Sequence, residues 1–280
     1  MIKMLFSDLD GTLLYQEGDH SADVNFENTE AIKKLEQSGV KFGVATSRSH
    51  LFLEKKMSCQ HPFDTVAFNG NLVYCSGKCL DVVTFTKDEI KRIIYAIKAD
   101  VEDNRSMFIT KENDVVFYDI AYPRAQGYVE NKLNYVQDHR YLLREKAVDY
   151  IEHSSDQICF IIGVFPNKEI CDESRQLMKE MTEIQYTDTS ERTFTLTKDN
   201  RDKVTGILKI AQYYGMKEDE IAVIGDSYND VQMMKYFKHS YCMFHSPIDI
   251  QKQAKHTVKS VADCIEHILK INKEEAHGIV

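Results

Sequence analysis

The chain has 280 residues, a length that fits two domains or one large one. A hydrophobic fraction of 43% and a charged fraction of 28% are ordinary globular usage, which excludes a disordered polymer, and no apolar run nears the roughly 18 residues of a membrane-spanning helix. With 35 Lys and Arg against 44 Asp and Glu, a formal charge of −9 and no basic block, neither nucleic acid nor a membrane is an expected partner, and an anionic substrate would need a local attractant such as a metal.

Ile2 to Ser7 is a short apolar run that stops at Asp8, followed by Gly11, a polar loop and a periodic stretch from Phe26 to Ser38. This predicts strand, loop, helix, with Ala31, Ile32 and Leu35 on one stripe and Gly39 at the helix end. Because Asp8 arrives before any signal-peptide core could form, the expected address is the cytoplasm. Lys41 to Ala45 is a second strand, and a helical crossover between two strands implies a parallel sheet. A short helix near Leu51 to Met57, a third strand from Thr65 to Phe68, a turn at Asn69-Gly70, a strand from Leu72 and a turn at Ser76-Gly77 follow. The seven cysteines are odd in number with no Cys-x-x-Cys pair, so no disulfide framework or structural zinc site is implied, and Cys75 and Cys79 flank the second turn.

From about Asp81 the pattern changes. It reads as a helix (Asp88 to Lys98), a hairpin around Glu112-Asn113-Asp114, an apolar strand (Ile158 to Phe165) and a helix (Lys168 to Met181), an α+β grammar. The first grammar then returns with a helix from Lys203 to Tyr214, a strand from Ile221 to Ile224 ending in Gly225-Asp226, a final strand at Tyr241-Cys242-Met243 and a helix from Val261 to Ile271. The expected fold class is therefore α/β: a doubly wound, Rossmann-like parallel-sheet core from residues 1–81 and 195–280, interrupted by an inserted α+β cap domain at 82–194.

Asp8-Leu9-Asp10-Gly11-Thr12 puts two carboxylates at the carboxyl end of the first strand, where open α/β sheets bind ligands. Carboxylates crowded together need a cation or a shared proton. Gly225-Asp226-Ser227-Tyr228-Asn229-Asp230 repeats the theme, and the two strand ends can share a cation only if those strands are neighbours. All-oxygen donors suit Mg²⁺ rather than zinc. Thr46-Ser47-Arg48 offers a hydroxyl and backbone N–H groups to an anion after the second strand, and Lys203 opens a later helix.

Asp8-Leu9-Asp10-Gly11-Thr12-Leu13-Leu14, Ala45-Thr46-Ser47-Arg48, Lys203 and Gly225-Asp226-Ser227-Tyr228-Asn229-Asp230 stand in the order of the four motifs of the haloacid dehalogenase superfamily, and the chain resembles its Cof-like branch of Mg²⁺-dependent phosphatases. The resemblance implies Asp8 as nucleophile and Asp10 as general acid and base. It implies a metal held by Asp8, the Asp10 backbone carbonyl and Asp226, with Asp230 bracing that metal's surroundings. Thr46, Ser47, Lys203 and Asn229 would serve the phosphate, while Arg48, Asn69 and Gly70 are candidates on the substrate side. The chain departs from the branch at Ser47, where glycine is usual, at Val204, and at Phe244-His245-Ser246-Pro247, where Gly-Asn-Ala is common. The function expected is hydrolysis of a small phosphorylated metabolite, with sugar phosphates the expected class by analogy with the branch, in the cytoplasm and with no protein partner implied. The alternatives are a phosphomutase, a phosphate-binding regulator that does not turn over, and a nucleotide-sugar transferase.

Overall fold

In this computed structural model residues 1–15, 24–50, 52–53, 63–97, 105–110, 115–119, 138–142, 144–155, 157–198 and 200–278 are described. They fall into two compact units, Met1–Asp81 with Asp202–Val280, and Val82–Arg201.

The first unit is built on β1 (Met4–Ser7), every residue of which is buried, so it reads as apolar throughout rather than alternating. The chain continues through α1 (Phe26–Gln37), β2 (Lys41–Ala45), β3 (Asp64–Ala67), β4 (Leu72–Cys75) and β5 (Lys78–Val82). After the second unit it resumes with a helix at Lys203–Tyr214, a strand at Ile221–Gly225, a short helix at Val231–Tyr236, a strand at His239–Met243, a three-residue edge strand at His256–Val258 and a helix at Val261–Ala276. Among the described residues the sheet has eight strands, and β1 lies between the 221–225 strand and β2, parallel to both. The adjacency that a shared cation site requires is thus present, at the point where the strand order reverses. Met4 and Phe6 share a core with Ile207 and Ile210 of the 203–214 helix and Met233 of the 231–236 helix. The first and last helices of the unit pack on each other, and Ile32, Leu35, Ile265 and Ile268 of these helices are buried.

The second unit contains α2 (Lys87–Ala96), β6 (Arg105–Thr110), β7 (Val115–Asp119), β8 (Asp138–Leu142), α3 (Arg144–His153), β9 (Ile158–Val164), α4 (Lys168–Met178), β10 (Ile184–Ser190) and β11 (Thr193–Lys198). Among the described residues its six strands run in the order β10-β11-β9-β6-β7-β8, antiparallel except for β7 with β8. Ile90 and Ile93 of α2, Met178 of α4, Phe108, Ile161 and Phe194 form its core. In chain order the later elements of the first unit are α5 (Lys203–Tyr214), β12 (Ile221–Gly225), α6 (Val231–Tyr236), β13 (His239–Met243), α7 (Ile248–Gln251), β14 (His256–Val258) and α8 (Val261–Ala276).

Two expectations need correction, and two others are untested. The boundary placed at 194 cuts through β11, which pairs with β9 and keeps the chain in the second unit until Arg201. The strand at Tyr241–Met243 starts earlier, at His239, and is not the final one, because β14 pairs parallel beside it; β14 is too short and too exposed to show a strand pattern. The hairpin residues 112–114 and the helix expected near 51–57, apart from helical Phe52 and Leu53, lie outside the described residues. Asn69 and Gly70 do make the expected turn, with φ of 52° and 99° and Asn71 N–H donating to the Phe68 carbonyl at 3.2 Å.

Candidate active site

At the end of β1 the Asp8 N–H donates to the Ile224 carbonyl of β12 at 2.8 Å, and the chain then coils through a tight turn, Leu9–Leu13. Gly11 sits in that turn at φ 84°, and a Cβ there would lie 2.5 Å from Asp226 Oδ2. Glycine is what lets the two acidic strand ends approach. Thr12 closes the approach by donating its hydroxyl to Asp226 Oδ1 at 2.8 Å. Buried Asn28 of α1 braces the far end of the turn, donating to the Leu13 carbonyl at 3.4 Å and accepting from Ala262 N–H of α8 at 3.0 Å.

Asp202 caps α5 by accepting from Thr205 N–H at 2.8 Å, which puts Lys203 on the first turn. Gly206, one turn along, lets α5 lie close to the sheet, since a Cβ there would meet Val66 Cγ1 at 2.3 Å. The Lys203 ammonium thereby reaches the strand ends and bonds Asp8 Oδ1 at 2.5 Å and Asp230 Oδ1 at 2.6 Å, with only 2% of its side chain exposed. Asp230 is fully buried, and its other oxygen accepts from the N–H groups of Asp226 and Ser227 at 3.0 and 3.1 Å. A short 3₁₀ turn, Tyr228–Asp230, brings this about, and it also leaves Asn229 half-buried with its Oδ1 accepting from Ser227 Oγ.

Carboxylate oxygens of Asp8, Asp226 and Asp230 all come within 4.8 Å of one another, a set that could hold a metal ion. Burial and the charge of Asp230 push the Asp8 carboxyl well up despite Lys203. Burial, then Asp230, raises Asp226 to about 6. Burial alone would lower Lys203, but Asp230 and Asp8 overcome it and hold the ammonium charged. A single lysine among three acids leaves an excess of acidic groups in a largely buried site, and a hard divalent cation is what that donor set fits.

Asp10 lies outside that cluster: its carboxylate receives a bidentate pair from Arg48, at 2.9 and 3.0 Å, on the half-exposed rim. Thr46 is fully buried at the end of β2, its hydroxyl oxygen accepting from Arg48 N–H at 3.0 Å, and Ser47 is half-buried beside it. Asn69 N–H donates to the Thr46 carbonyl at 3.0 Å, and its side-chain oxygen is buried without a hydrogen-bond partner. Gly70 faces the Asp202 carbonyl at the start of α5. The fold therefore brings Asp8, Asp226, Asp230 and Lys203 into one cluster, with Asp10 and Arg48 as a second pair and Thr46 joined to both Arg48 and Asn69. The contribution that sequence reasoning did not assign is that of Thr12, together with the two N–H groups on Asp230; a hydroxyl directly after Gly11 was the available signal.

Residues 5–269 match the family of haloacid dehalogenase-like hydrolases. The chain belongs to that family. It is an enzyme whose relatives carry phosphatase names: MG263 of Mycoplasma genitalium, provisionally named a phosphatase, is 25% identical over 93% of this chain and 94% of its own. The 5-amino-6-(5-phospho-D-ribitylamino)uracil phosphatase YwtE of Bacillus subtilis is 23% identical over 92% of this chain and 93% of its own. In fold, the chain is similar to BT1666 of Bacteroides thetaiotaomicron, a phosphatase of the same superfamily, with a TM-score of 0.75 at 23% identity over 100% of this chain and 96% of that one. Among the described residues, no helix is long and apolar enough to cross a membrane.

Proposed function

We propose that this enzyme is a Mg²⁺-dependent phosphatase of small phosphorylated metabolites, with sugar phosphates the favoured class, acting through an aspartyl-phosphate in the cytoplasm. One observation carries the reading: Asp8, Lys203 and Asp230 form a buried hydrogen-bonded chain beside Asp226 at the ends of two adjacent parallel strands. The substrate class is supported by the phosphorylated ribityl compound named for the Bacillus subtilis relative.

In this reading an Asp8 carboxylate oxygen attacks phosphorus in line, the bond from phosphorus to the ester oxygen breaks, and Asp10 gives its proton to the departing oxygen. Water then attacks the aspartyl-phosphate, Asp10 takes the water's proton, and the bond from phosphorus to Asp8 breaks to release inorganic phosphate. Asp8 and Asp226, with the Asp10 carbonyl, would hold Mg²⁺, which would neutralise the nucleophile against the incoming dianion. Lys203, Thr46, Ser47 and Asn229 bind the phosphoryl oxygens, and Asp230 holds Lys203 and the 226–227 backbone in place. Arg48 orients Asp10, and Asn69 and Gly70 face the ester side. We assign chemistry to residues 1–81 and 202–280 and substrate selection to 82–201.

The test is phosphate release from a panel of sugar, polyol and nucleoside phosphates, with Mg²⁺ and after chelation. Release that depends on the metal and is highest on sugar or polyol phosphates is the expected result. Equal release in chelator overturns the metal assignment, and transfer of phosphate between positions of one sugar without release identifies a mutase.

A further inference from the structure

The turn after β3 departs from what a parallel ladder dictates, and the departure leads by hydrogen bonds to Asp10. In the β2–β3 register Ala45 faces Val66, and the Thr46 N–H donates to the Val66 carbonyl at 2.8 Å, as the ladder requires. The ladder's next bond would run from the Phe68 N–H to the Thr46 carbonyl. Instead the Asn69 N–H takes that carbonyl at 3.0 Å, and the Phe68 N–H donates to the Arg48 carbonyl at 3.2 Å. The pairing has slipped by one residue, and the N–H so released holds the loop that follows β2.

Backbone angles make the slip. Phe68, Asn69 and Gly70 all stand at positive φ, at 50°, 52° and 99°. Glycine adopts that region freely and asparagine tolerates it, but a bulky side chain there is an outlier that persists only where its surroundings over-determine it. Phe68 is 1% exposed, so burial of its ring holds it there. Gly70 closes the turn against the Asp202 carbonyl at the start of α5, where a Cβ would not fit.

Arg48 is held at three points as a result. Its carbonyl accepts from Phe68, its N–H donates to the Thr46 hydroxyl at 3.0 Å, and its guanidinium carbon lies 4.8 Å from the centroid of the Phe52 ring. From that backbone Nε and Nη2 reach the two Asp10 carboxylate oxygens. We propose that the left-handed turn Phe68–Gly70 positions the general acid: the turn sets the Arg48 backbone, and Arg48 sets Asp10. This rests on the role of Asp10 proposed above. Asn69 is the positioning residue at which the turn can be tested, and it acts here through its backbone.

Gly and Ala at position 69 both delete the amide and differ in whether φ 52° is strained, so the pair isolates the backbone. The experiment compares kcat/KM, which reports the steps through ester cleavage, for the best alkyl phosphate and for p-nitrophenyl phosphate in the full chain with Mg²⁺. An alkyl leaving group needs its proton as the ester bond breaks, whereas an aryl group of low basicity departs without it, so misplacing Asp10 lowers the alkyl-to-aryl ratio. A displaced Thr46 or a loss of folded protein slows both substrates alike and leaves that ratio where it was. Asn69→Val, β-branched, lowers the ratio about 10-fold, part of the ~10²–10⁴-fold that general acid catalysis supplies; Asn69→Ala lowers it about fivefold, and Asn69→Gly keeps it within about twofold of the parent. Where Asn69→Val does not fold, Ala against Gly decides.

A ratio unchanged in Asn69→Ala overturns the proposal. So does a ratio that falls as far in Asn69→Gly as in Asn69→Ala, which assigns the effect to the amide, whose oxygen is buried without a partner. A readout independent of turnover is the Arg48 Nε–H signal in NMR spectra, assigned by its loss in Arg48→Lys. Its exchange with water is faster in Asn69→Ala than in the parent and unchanged in Asn69→Gly; equal exchange in all three proteins removes the clamp. If the parent protein hydrolyses neither ester, it is the phosphatase reading that has failed, and the Arg48 signal still decides the clamp.

Discussion

Each unit of this protein buries an acid next to a lysine, and the two pairs have opposite characters. Glu89 in the second unit is only 7% exposed and would be raised by burial, yet hydrogen bonds from Lys198 and the Thr86 N–H bring it below its ordinary value. It completes a capping box at the start of α2, and all its partners favour the ionised form. Asp8 in the first unit also faces a lysine, but Lys203 is shared with Asp230, and Asp226 adds its charge, so burial wins and the carboxyl is pushed up. A satisfied acid holds a helix in place. An acid crowded by its own kind is held ready to neutralise something else, a cation or an electrophile.

The largest effect expected from this contrast is on turnover. Asp8→Asn should lower kcat roughly 10⁴-fold or more, on the scale of losing a nucleophile elsewhere, while leaving the fold intact. Glu89→Gln should leave kcat/KM within about twofold, since helix capping lies outside the chemistry. Steady-state phosphate release on the same substrate measures both, and turnover in Asp8→Asn near that of the parent would end the covalent reading.

Stability should separate the two lysines by less. Lys203→Met strands two buried carboxylates and, without metal, should cost about 3–5 kcal/mol. Lys198→Met leaves Glu89 its Thr86 partner and should cost roughly 1–2 kcal/mol. Native-state hydrogen exchange read separately in β1 and in α2 assigns each loss to its own unit. Equal costs would mean that Lys203 is an ordinary structural pair.

How much of this was legible beforehand follows from which residues carry it. The parallel strands are apolar runs that stop at an acid or a glycine, Ile2 to Ser7 before Asp8 and Ile221 to Ile224 before Gly225, and such punctuation survives in one dimension. The neighbouring placement of β1 and β12 was a condition of the shared site, and the strand order meets it. The β10–β11 pair escaped because the alternation of Gln185, Thr187, Thr195 and Thr197 with apolar residues is short and is split by the unbroken polar run Asp188 to Thr193, which reads as a loop. The separation of Asp10 from the acidic cluster was also invisible. Two residues of extended chain would point both carboxylates one way, but Gly11 at positive φ and the coiled turn send Asp10 to Arg48 instead.

The smallest effect is one of sign. In the metal-free protein the folded-state value of Asp226 is about 6, raised by burial and by Asp230, against roughly 3.9 in an unfolded chain. The folded protein binds this proton more tightly than the unfolded one, so the stabilising contribution is complete below about pH 4 and is lost as pH rises through 6. Asn at the same position can still accept from Thr12 but carries no charge. Metal-free Asp226→Asn should therefore melt above the parent at pH 8, and the advantage should shrink steadily towards pH 5. Saturating Mg²⁺ should reverse the order at pH 8, because it binds and stabilises only the parent's complete acid set. Thermal melts of both proteins at the two pH values, with and without Mg²⁺, test each step. A mutant that gains nothing at pH 8 would show that Asp226, like Glu89, is already satisfied by its protein neighbours, and the contrast between the two units would then rest on Asp8 alone.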